Sequence, residues 1–170
     1  LQSGAPLAGA AEAALRLPLG TPLAAFSSRC GCLGGTSEVD KRDSTYASSF
    51  VESAGLFIRP TIKVVWLSNG DRHLVLTKTD QGFAFDGVVG EVTRRLEEAT
   101  GEELDGQVTW STTHTHASYG AHTANEGFML GADRFHREVF ERLVEQVVDV
   151  ALAAHAARRP AALGFGTSRD

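Results

Sequence analysis

The side chains best placed for chemistry are two histidines in the segment Thr113–His116, where His114 and His116 are separated by one residue. Residues two apart in an extended strand point to the same side, so both imidazoles would face one cavity if a strand continues through them. Neutral imidazole is a ligand for zinc, copper, nickel or iron. H-x-H is a short pattern, however, and a polar surface loop explains it equally well. His122 and His136 fit better as exposed or hydrogen-bonded histidines than as ligands.

Three further residues could contribute to a site. Cys30 and Cys32 are the only cysteines and form a C-x-C pair. Such a pair could be half of a metal site, a strained disulfide or two unrelated small residues. The last reading is favoured because no second pair exists to complete a four-cysteine zinc site. Asp80 follows a predicted strand and is a candidate to orient a histidine ligand or a catalytic group.

The pattern that must position these residues becomes regular at residue 58, after a loop-rich segment (residues 1–57). It predicts strands over 61–67 and 73–77, joined by an Asn69-Gly70 type I′ turn. A helix follows from Asp86 to Gly101, and then a strand over 107–112. A long helix is predicted over 132–157 and a last strand over 161–165. The buried stripe of the long helix would comprise Phe135, Val139, Leu143, Val147 and Ala151.

This order of elements is typical of an α/β fold, with a mixed sheet flanked by helices over residues 58–170. Functional groups in such sheets tend to lie in loops beyond the carboxyl ends of the strands. Asp80 ends one strand, and His114 and His116 follow another. If the two strands are parallel neighbours, the acid and the two histidines emerge at one edge of the sheet.

Composition limits the classes of function. The 170 residues suffice for one domain, and 42% are hydrophobic and 22% charged, as in ordinary globular proteins. The net charge of −5 and the absence of a Lys/Arg cluster argue against binding to nucleic acid or anionic membranes. No apolar run reaches the roughly 18–20 residues of a transmembrane helix.

The beginning of the sequence bears on location. The chain begins at Leu1, without an initiator Met or a charged leader, which is consistent with a removed signal peptide or an artificial truncation. We therefore expect a secreted or periplasmic protein, with a cytoplasmic location left open.

Two large classes of metallohydrolase with H-x-H after a strand do not fit. Metallo-β-lactamase-like enzymes require H-x-H-x-D-H, but Ser118 stands in place of the Asp and Tyr119 in place of the third His. Amidohydrolase barrels need eight strand–helix units, which 170 residues cannot supply.

Four segments, in order, resemble the neutral/alkaline non-lysosomal ceramidases. Leu17–Ala24 resembles the family's TP-x-G-x-PLAG segment, and Ile58–Asp80 resembles its paired strands ending in an Asp. Thr113–Ser118 resembles the THTHS-G-P-G-G signature, and Arg159–Gly166 resembles the PA-x-L-x-x-G-x-G strand. The THTH element is the specific one.

The resemblance implies a zinc amidase that hydrolyses ceramide to sphingosine and a fatty acid, with a zinc-activated water attacking the carbonyl. By the same resemblance His114 would be a zinc ligand, and His116 would face the reacting water or the substrate. With Asp80, His116 would form the catalytic set. The chain would be the amino-terminal portion of the catalytic domain.

Two departures from the family open alternatives. Ala117–Gly120 replaces the usual Ser-Gly-Pro-Gly-Gly, so the substrate could be another amide or ester, such as an acylated peptide or natural product. The family's remaining zinc ligands (His, Glu and Tyr) and its catalytic Arg lie beyond the equivalent of Asp170. We therefore expect a processed enzyme in which a second chain or carboxy-terminal fragment supplies those ligands. A fragment produced alone and a non-catalytic subunit are the other readings.

Overall fold

The computed structural model describes residues 5–24, 45–48 and 50–168. Cys30 and Cys32 lie outside this range. The described chain forms one five-stranded sheet of order β4-β3-β2-β1-β5, in which β3 and β4 are parallel and the other pairs are antiparallel. This confirms the predicted α/β class with a mixed sheet. The elements are β1 (Leu7–Ala14), β2 (Thr61–Asn69), β3 (Arg72–Thr79), α1 (Asp86–Thr100), β4 (Val108–Thr112), α2 (Glu126–Ala132), α3 (Arg137–Ala156) and β5 (Arg159–Pro160).

The β2–β3 hairpin forms the centre of the sheet. Burial alternates along both strands, and Ile62, Val64 and Trp66 are at most 1% exposed on the inner face. Asn69 pairs with Arg72, so the two central turn residues are Gly70 and Asp71. Gly70 has φ 64°, and glycine at the first central position is the preference of a type II′ turn. The hairpin was therefore predicted correctly, but the Asn-Gly type I′ turn was wrong by one residue.

The parallel pairing of β3 with β4 brings two strand ends to the same edge. Thr79 is in register with Thr112, and the amide of Thr113 donates to the carbonyl of Thr79 at 3.2 Å. Helix α1 makes the connection between the strands, as parallel pairing requires. Asp80 and the Thr113–His116 segment thus leave the sheet side by side, as the sequence predicted.

Helices α1 and α3 pack together and cover the inner face of the sheet. The apolar stripe of α3 is buried as predicted from Val139 to Ala151, but Phe135 lies outside the helix and is 39% exposed. The predicted single helix over 132–157 is two helices, α2 and α3. The chain breaks at Asp133, whose φ is 65°.

Two glycines permit the closest backbone approaches. A Cβ added at Gly9 on β1 would collide with the carbonyl oxygen of Ala154 on α3 and lie 2.8 Å from the amide nitrogen of Arg158. A Cβ added at Gly120 would collide with the carbonyl oxygen of Ala132. Real side chains do not tolerate such distances, so only glycine fits at these two positions.

The outer face of the sheet carries a band of partly exposed apolar residues, among them Val65, Leu74 and Leu76. At the far edge β5 is only two residues long, and residues 161–168 form no regular structure. The predicted strand over 161–165 is therefore wrong. No helix among the described residues is long and apolar enough to cross a membrane.

Candidate active site

His114 and His116 lie side by side beyond the end of β4. The strand ends at Thr112, so the prediction that an extended strand runs through both histidines is wrong. His114 instead adopts a left-handed backbone, with φ 58°, which costs a residue with a Cβ about 1–2 kcal/mol. The rings nevertheless meet, with centroids 4.8 Å apart and planes at 66°. The chain therefore brings two imidazoles together through a strained turn.

An aromatic cluster supports the histidine pair. The ring of Phe83 lies edge-on to both imidazoles, with its centroid 5.4 Å from His114 and 5.8 Å from His116. Phe85 and Phe128 pack together at 5.0 Å and both contact Phe83. Edge-on aromatic contacts of this kind stabilise ring orientation. Sequence reasoning missed these phenylalanines, although the alternation in Phe83-Ala84-Phe85 was a signal for them.

A cavity of about 570 Å³ opens beside His114. Its wall includes Phe83 and Phe128, together with the polar residues Thr123 and Asn125. The side chain of Asn125 accepts a hydrogen bond from the amide of Gly127 at 3.0 Å and caps α2. The volume is within the roughly 300–1,000 Å³ of small-molecule sites.

His122 and His136 each contact neighbouring residues of the fold. His122 is 1% exposed, and its Nδ1 lies 3.1 Å from the carbonyl oxygen of Gly120. Burial lowers the pKa of His122, and the hydrogen bond to Gly120 opposes that shift only in part. His136 precedes α3 and its ring packs edge-on against Tyr46 at 4.8 Å.

The other two histidines lie at the opposite end of the sheet. Nε2 of His73 is 3.1 Å from a carboxylate oxygen of Glu102, and Nε2 of His155 is 3.5 Å from the other oxygen. Arg158 also contacts Glu102, at 3.6 Å, and its guanidinium stacks over Trp66. This cluster joins the hairpin to α3 and is remote from the histidine pair.

Asp80 is held by the sheet and not by the histidines. Its Oδ2 accepts hydrogen bonds from the backbone amide and the hydroxyl of Thr61, both at 2.8 Å. The hydroxyl of Ser118 donates to the backbone carbonyl of Asp80 at 2.8 Å. Within the described part of the chain no hydrogen bond joins Asp80 to His114 or His116. Asp80 lines a second cavity, with Thr113 and Thr115.

The His114–His116 pair meets part of the ligand requirement of a catalytic zinc. Two imidazoles in contact can offer two nitrogen ligands, whereas a catalytic zinc normally takes three protein ligands. The described residues contain no group of three His, Cys, Asp or Glu side chains that could hold a metal ion. A complete zinc site would therefore need ligands from outside residues 5–24, 45–48 and 50–168.

Two solved structures share this architecture. Neutral ceramidase from Pseudomonas aeruginosa matches with a TM-score of 0.66 and 21% sequence identity over 92% of this chain. A ceramidase complexed with C2 matches with a TM-score of 0.65, at the same identity and coverage. The chain has the fold of part of a neutral ceramidase. The resemblance predicted from the THTH element is thus confirmed at the level of the fold.

The likeness to ceramidase has a limited extent. The chain spans 22% of the length of either ceramidase chain. Its sequence matches no protein-family profile and no curated protein. The ceramidase likeness therefore rests on three-dimensional structure and on the short motifs of the sequence.

Proposed function

We propose that this chain is part of a zinc-dependent hydrolase that cleaves the amide bond of an N-acyl, ceramide-like lipid. The observation that carries the proposal is the contact between His114 and His116 beside a cavity, in a chain with the neutral ceramidase fold. A zinc ion held there would lower the pKa of a water molecule and polarise the amide carbonyl.

Each histidine has a distinct role in the proposal. His114 lines the cavity and offers an imidazole nitrogen to the metal. His116 is half-buried beside it and takes or returns a proton at its own imidazole nitrogen. The ring of Phe83 lies edge-on to both imidazoles and would keep them in orientation.

Asp80 acts as a positioning residue in this proposal. Its carboxylate ties the end of β3 to the start of β2 through Thr61, and its carbonyl holds Ser118, two residues after His116. Both contacts fix the segment that carries the histidines. A misplacement of about 1 Å in such a segment can cost roughly 100-fold in rate.

A second polypeptide completes the enzyme in this proposal, either a separate chain or a carboxy-terminal fragment. One fact supports it: the described residues contain no group of three His, Cys, Asp or Glu side chains that could hold a metal ion, and His114 alone cannot hold a catalytic zinc. A secreted or periplasmic location and a role in sphingolipid metabolism belong to the same proposal. Fractionation of the producing cells tests the location.

Elemental analysis of natively purified protein, with an inventory of its polypeptides by mass spectrometry, tests the metal and the partner together. We expect stoichiometric zinc and a companion polypeptide. His114→Ala should lose zinc and amidase activity, whereas His155→Gln, at the far end of α3, should keep both. Full activity in His114→Ala, or a single intact chain that is active without a companion, would contradict the proposal.

One observation favours a second candidate substrate. Residues Ala117–Gly120 replace the family's glycine-rich loop, and Tyr119 within them is 2% exposed and pairs with Leu23. A loop fixed in this way could select an acylated peptide or natural product in place of ceramide. A panel of N-acyl substrates scored by mass spectrometry separates the two candidates. Absence of zinc from the native complex would instead favour a non-catalytic subunit.

A further inference from the structure

Four charged or titratable side chains join α3 to the hairpin, at the end of the sheet opposite the histidine pair. They are His73 on β3, Glu102 in the loop before β4, His155 near the end of α3, and Arg158 just after that helix. The rings of His73 and His155 and the guanidinium of Arg158 all contact the fully buried Trp66. The proposed hydrolase chemistry does not use this group.

Nε2 of His155 lies between a donor and an acceptor. The guanidinium of Arg158 donates to it through Nη2, and a carboxylate oxygen of Glu102 is 3.5 Å away. Arginine can only donate, so Nε2 must offer a lone pair to Arg158, and the imidazole is then neutral with its proton on Nδ1. A protonated imidazole carries hydrogen on both nitrogens and can donate only to Glu102. One proton therefore changes the partner of His155.

The side chain of Arg158 anchors the chain where β5 begins. Its Nη1 donates to the hydroxyl of Ser68 on β2 at 2.6 Å, and its Nε donates to the carbonyl of His155 at 3.0 Å. The next two residues form β5, which pairs with β1, and the amide of Ala161 then donates to the carbonyl of Pro6 at 2.8 Å. A strand of two residues has little stability of its own, so its pairing depends on this anchor.

The charges around His155 oppose its protonation while Arg158 is in place. Glu102 is the only acid of the four residues, and its other oxygen is already 3.1 Å from Nε2 of His73. A proton on His155 would place a second cation in contact with the guanidinium. Burial lowers the pKa of His155, and Arg158 and His73 lower it further, whereas Glu102 opposes the shift.

We propose that His155 and Arg158 form a pH-sensitive latch, which holds β5 on β1 at neutral pH and releases it in acid. Above the pKa of His155 the neutral imidazole accepts from Arg158, and the latch is closed. Below that pKa the imidazolium repels the guanidinium and donates to Glu102, so Arg158 and the adjoining β5 leave the sheet. Release makes β1 the edge strand. The latch is separate from the histidine pair and does not depend on zinc.

Hydrogen–deuterium exchange of the natively purified protein at pH 7 and pH 5 tests the latch. The amide of Ala161 is the reporter, because its hydrogen bond to Pro6 requires β5 to lie on β1. Its protection factor, corrected for the intrinsic effect of pH on exchange, should fall about tenfold, the equivalent of one charge-assisted hydrogen bond. Amides of the β2–β3 hairpin should keep their protection. Unchanged protection at Ala161, or a parallel loss in the hairpin, would overturn the proposal.

A first pair of variants identifies the proton acceptor. His155→Gln can still accept from Arg158 through its side-chain carbonyl but cannot be protonated. Protection of Ala161 in this variant should be the same at pH 7 and pH 5. His136→Gln is the matched control, because His136 immediately precedes α3 at its other end, and this variant should keep the tenfold fall.

A second pair of variants tests the anchor. Arg158→Gln should lower the protection of Ala161 about tenfold already at pH 7, and an NMR titration should show a higher pKa for His155. Arg159→Gln removes the same charge from the next, exposed residue and should change neither quantity. Equal behaviour of a variant and its control, in either pair, would overturn the proposal. If Arg158→Gln does not fold, the histidine pair of variants and the unaltered protein still decide the question.

Discussion

The left-handed backbone at His114 gives the sharpest prediction, because its energy can be separated from that of the side chain. His114→Gly and His114→Ala both remove the imidazole and its contacts with Phe83 and His116. The two variants differ only in whether position 114 carries a Cβ. Their difference in free energy of unfolding therefore reports the backbone alone.

The expected difference follows from two opposing terms. A left-handed φ costs a residue with a Cβ about 1–2 kcal/mol, and glycine avoids that cost. Glycine loses about 0.5–1 kcal/mol more than alanine in conformational entropy on folding. We therefore expect His114→Gly to be more stable than His114→Ala by about 0.5–1 kcal/mol, the reverse of the usual order.

Thr115 provides the matched control, because it lies next to His114 and is not among the residues with positive φ. At that position Thr115→Ala should be more stable than Thr115→Gly by about 0.5–1 kcal/mol. Urea denaturation of all four variants in the presence of a chelator measures both differences without a contribution from bound metal. If alanine is as stable as glycine at position 114, the strained turn does not hold the two imidazoles together.

Three further predictions concern stability. Gly9→Ala should lower the free energy of unfolding by about 3 kcal/mol, because the added methyl group meets the carbonyl of Ala154, whereas Gly55→Ala has open space and should not be destabilising. Hydrogen bonds from two arginines on α1 lower the pKa of Glu91 from 4.5 to about 2, so its stabilisation is present above pH 4.5 and lost as pH falls toward 2. Glu91→Gln should lower the free energy of unfolding by about 1 kcal/mol at pH 7, after allowance for solvent screening. It should also reduce the loss of stability as pH falls. Burial lowers the pKa of His122 below 6.5, so stability should fall as pH drops below 6.5, and His122→Phe should reduce that fall.

Urea midpoints between pH 7 and pH 3 test all three predictions. Equal stability of Gly9→Ala and Gly55→Ala would mean that β1 and α3 are farther apart than described. If the stability of Glu91→Gln falls at acid pH as steeply as that of the unaltered protein, the ion pairs of Glu91 are fully screened by solvent. The same loss of stability below pH 6.5 in His122→Phe would show that another group is responsible.

The sheet and its functional edge were predictable because they depend on local patterns. Alternation of apolar residues identified β2 and β3, and the helical stripe of α1 supplied the crossover that makes β3 and β4 parallel. That pairing placed Asp80 beside the Thr113–His116 segment without any knowledge of tertiary structure. Short-range periodicity therefore located the candidate site.

What the sequence did not reveal depends on contacts between distant residues. The break between α2 and α3 occurs where the carboxylate of Asp133 accepts hydrogen bonds from the amides of Ser48 and Phe50, at 2.7 and 3.1 Å. The carboxylate of Asp80 is likewise held by Thr61, 19 residues earlier. Local propensity favours neither arrangement, since both rest on partners that only the fold brings near.

The two crowded glycines have a consequence for sequence comparison. At 21% identity most aligned positions say little about whether an alignment is in register. Gly9 and Gly120 are different, because at each of them backbone atoms of another element occupy the place of a side chain. We expect them to serve as fixed points when more distant sequences are threaded onto this fold, and an alignment that places a larger residue at either position is out of register there.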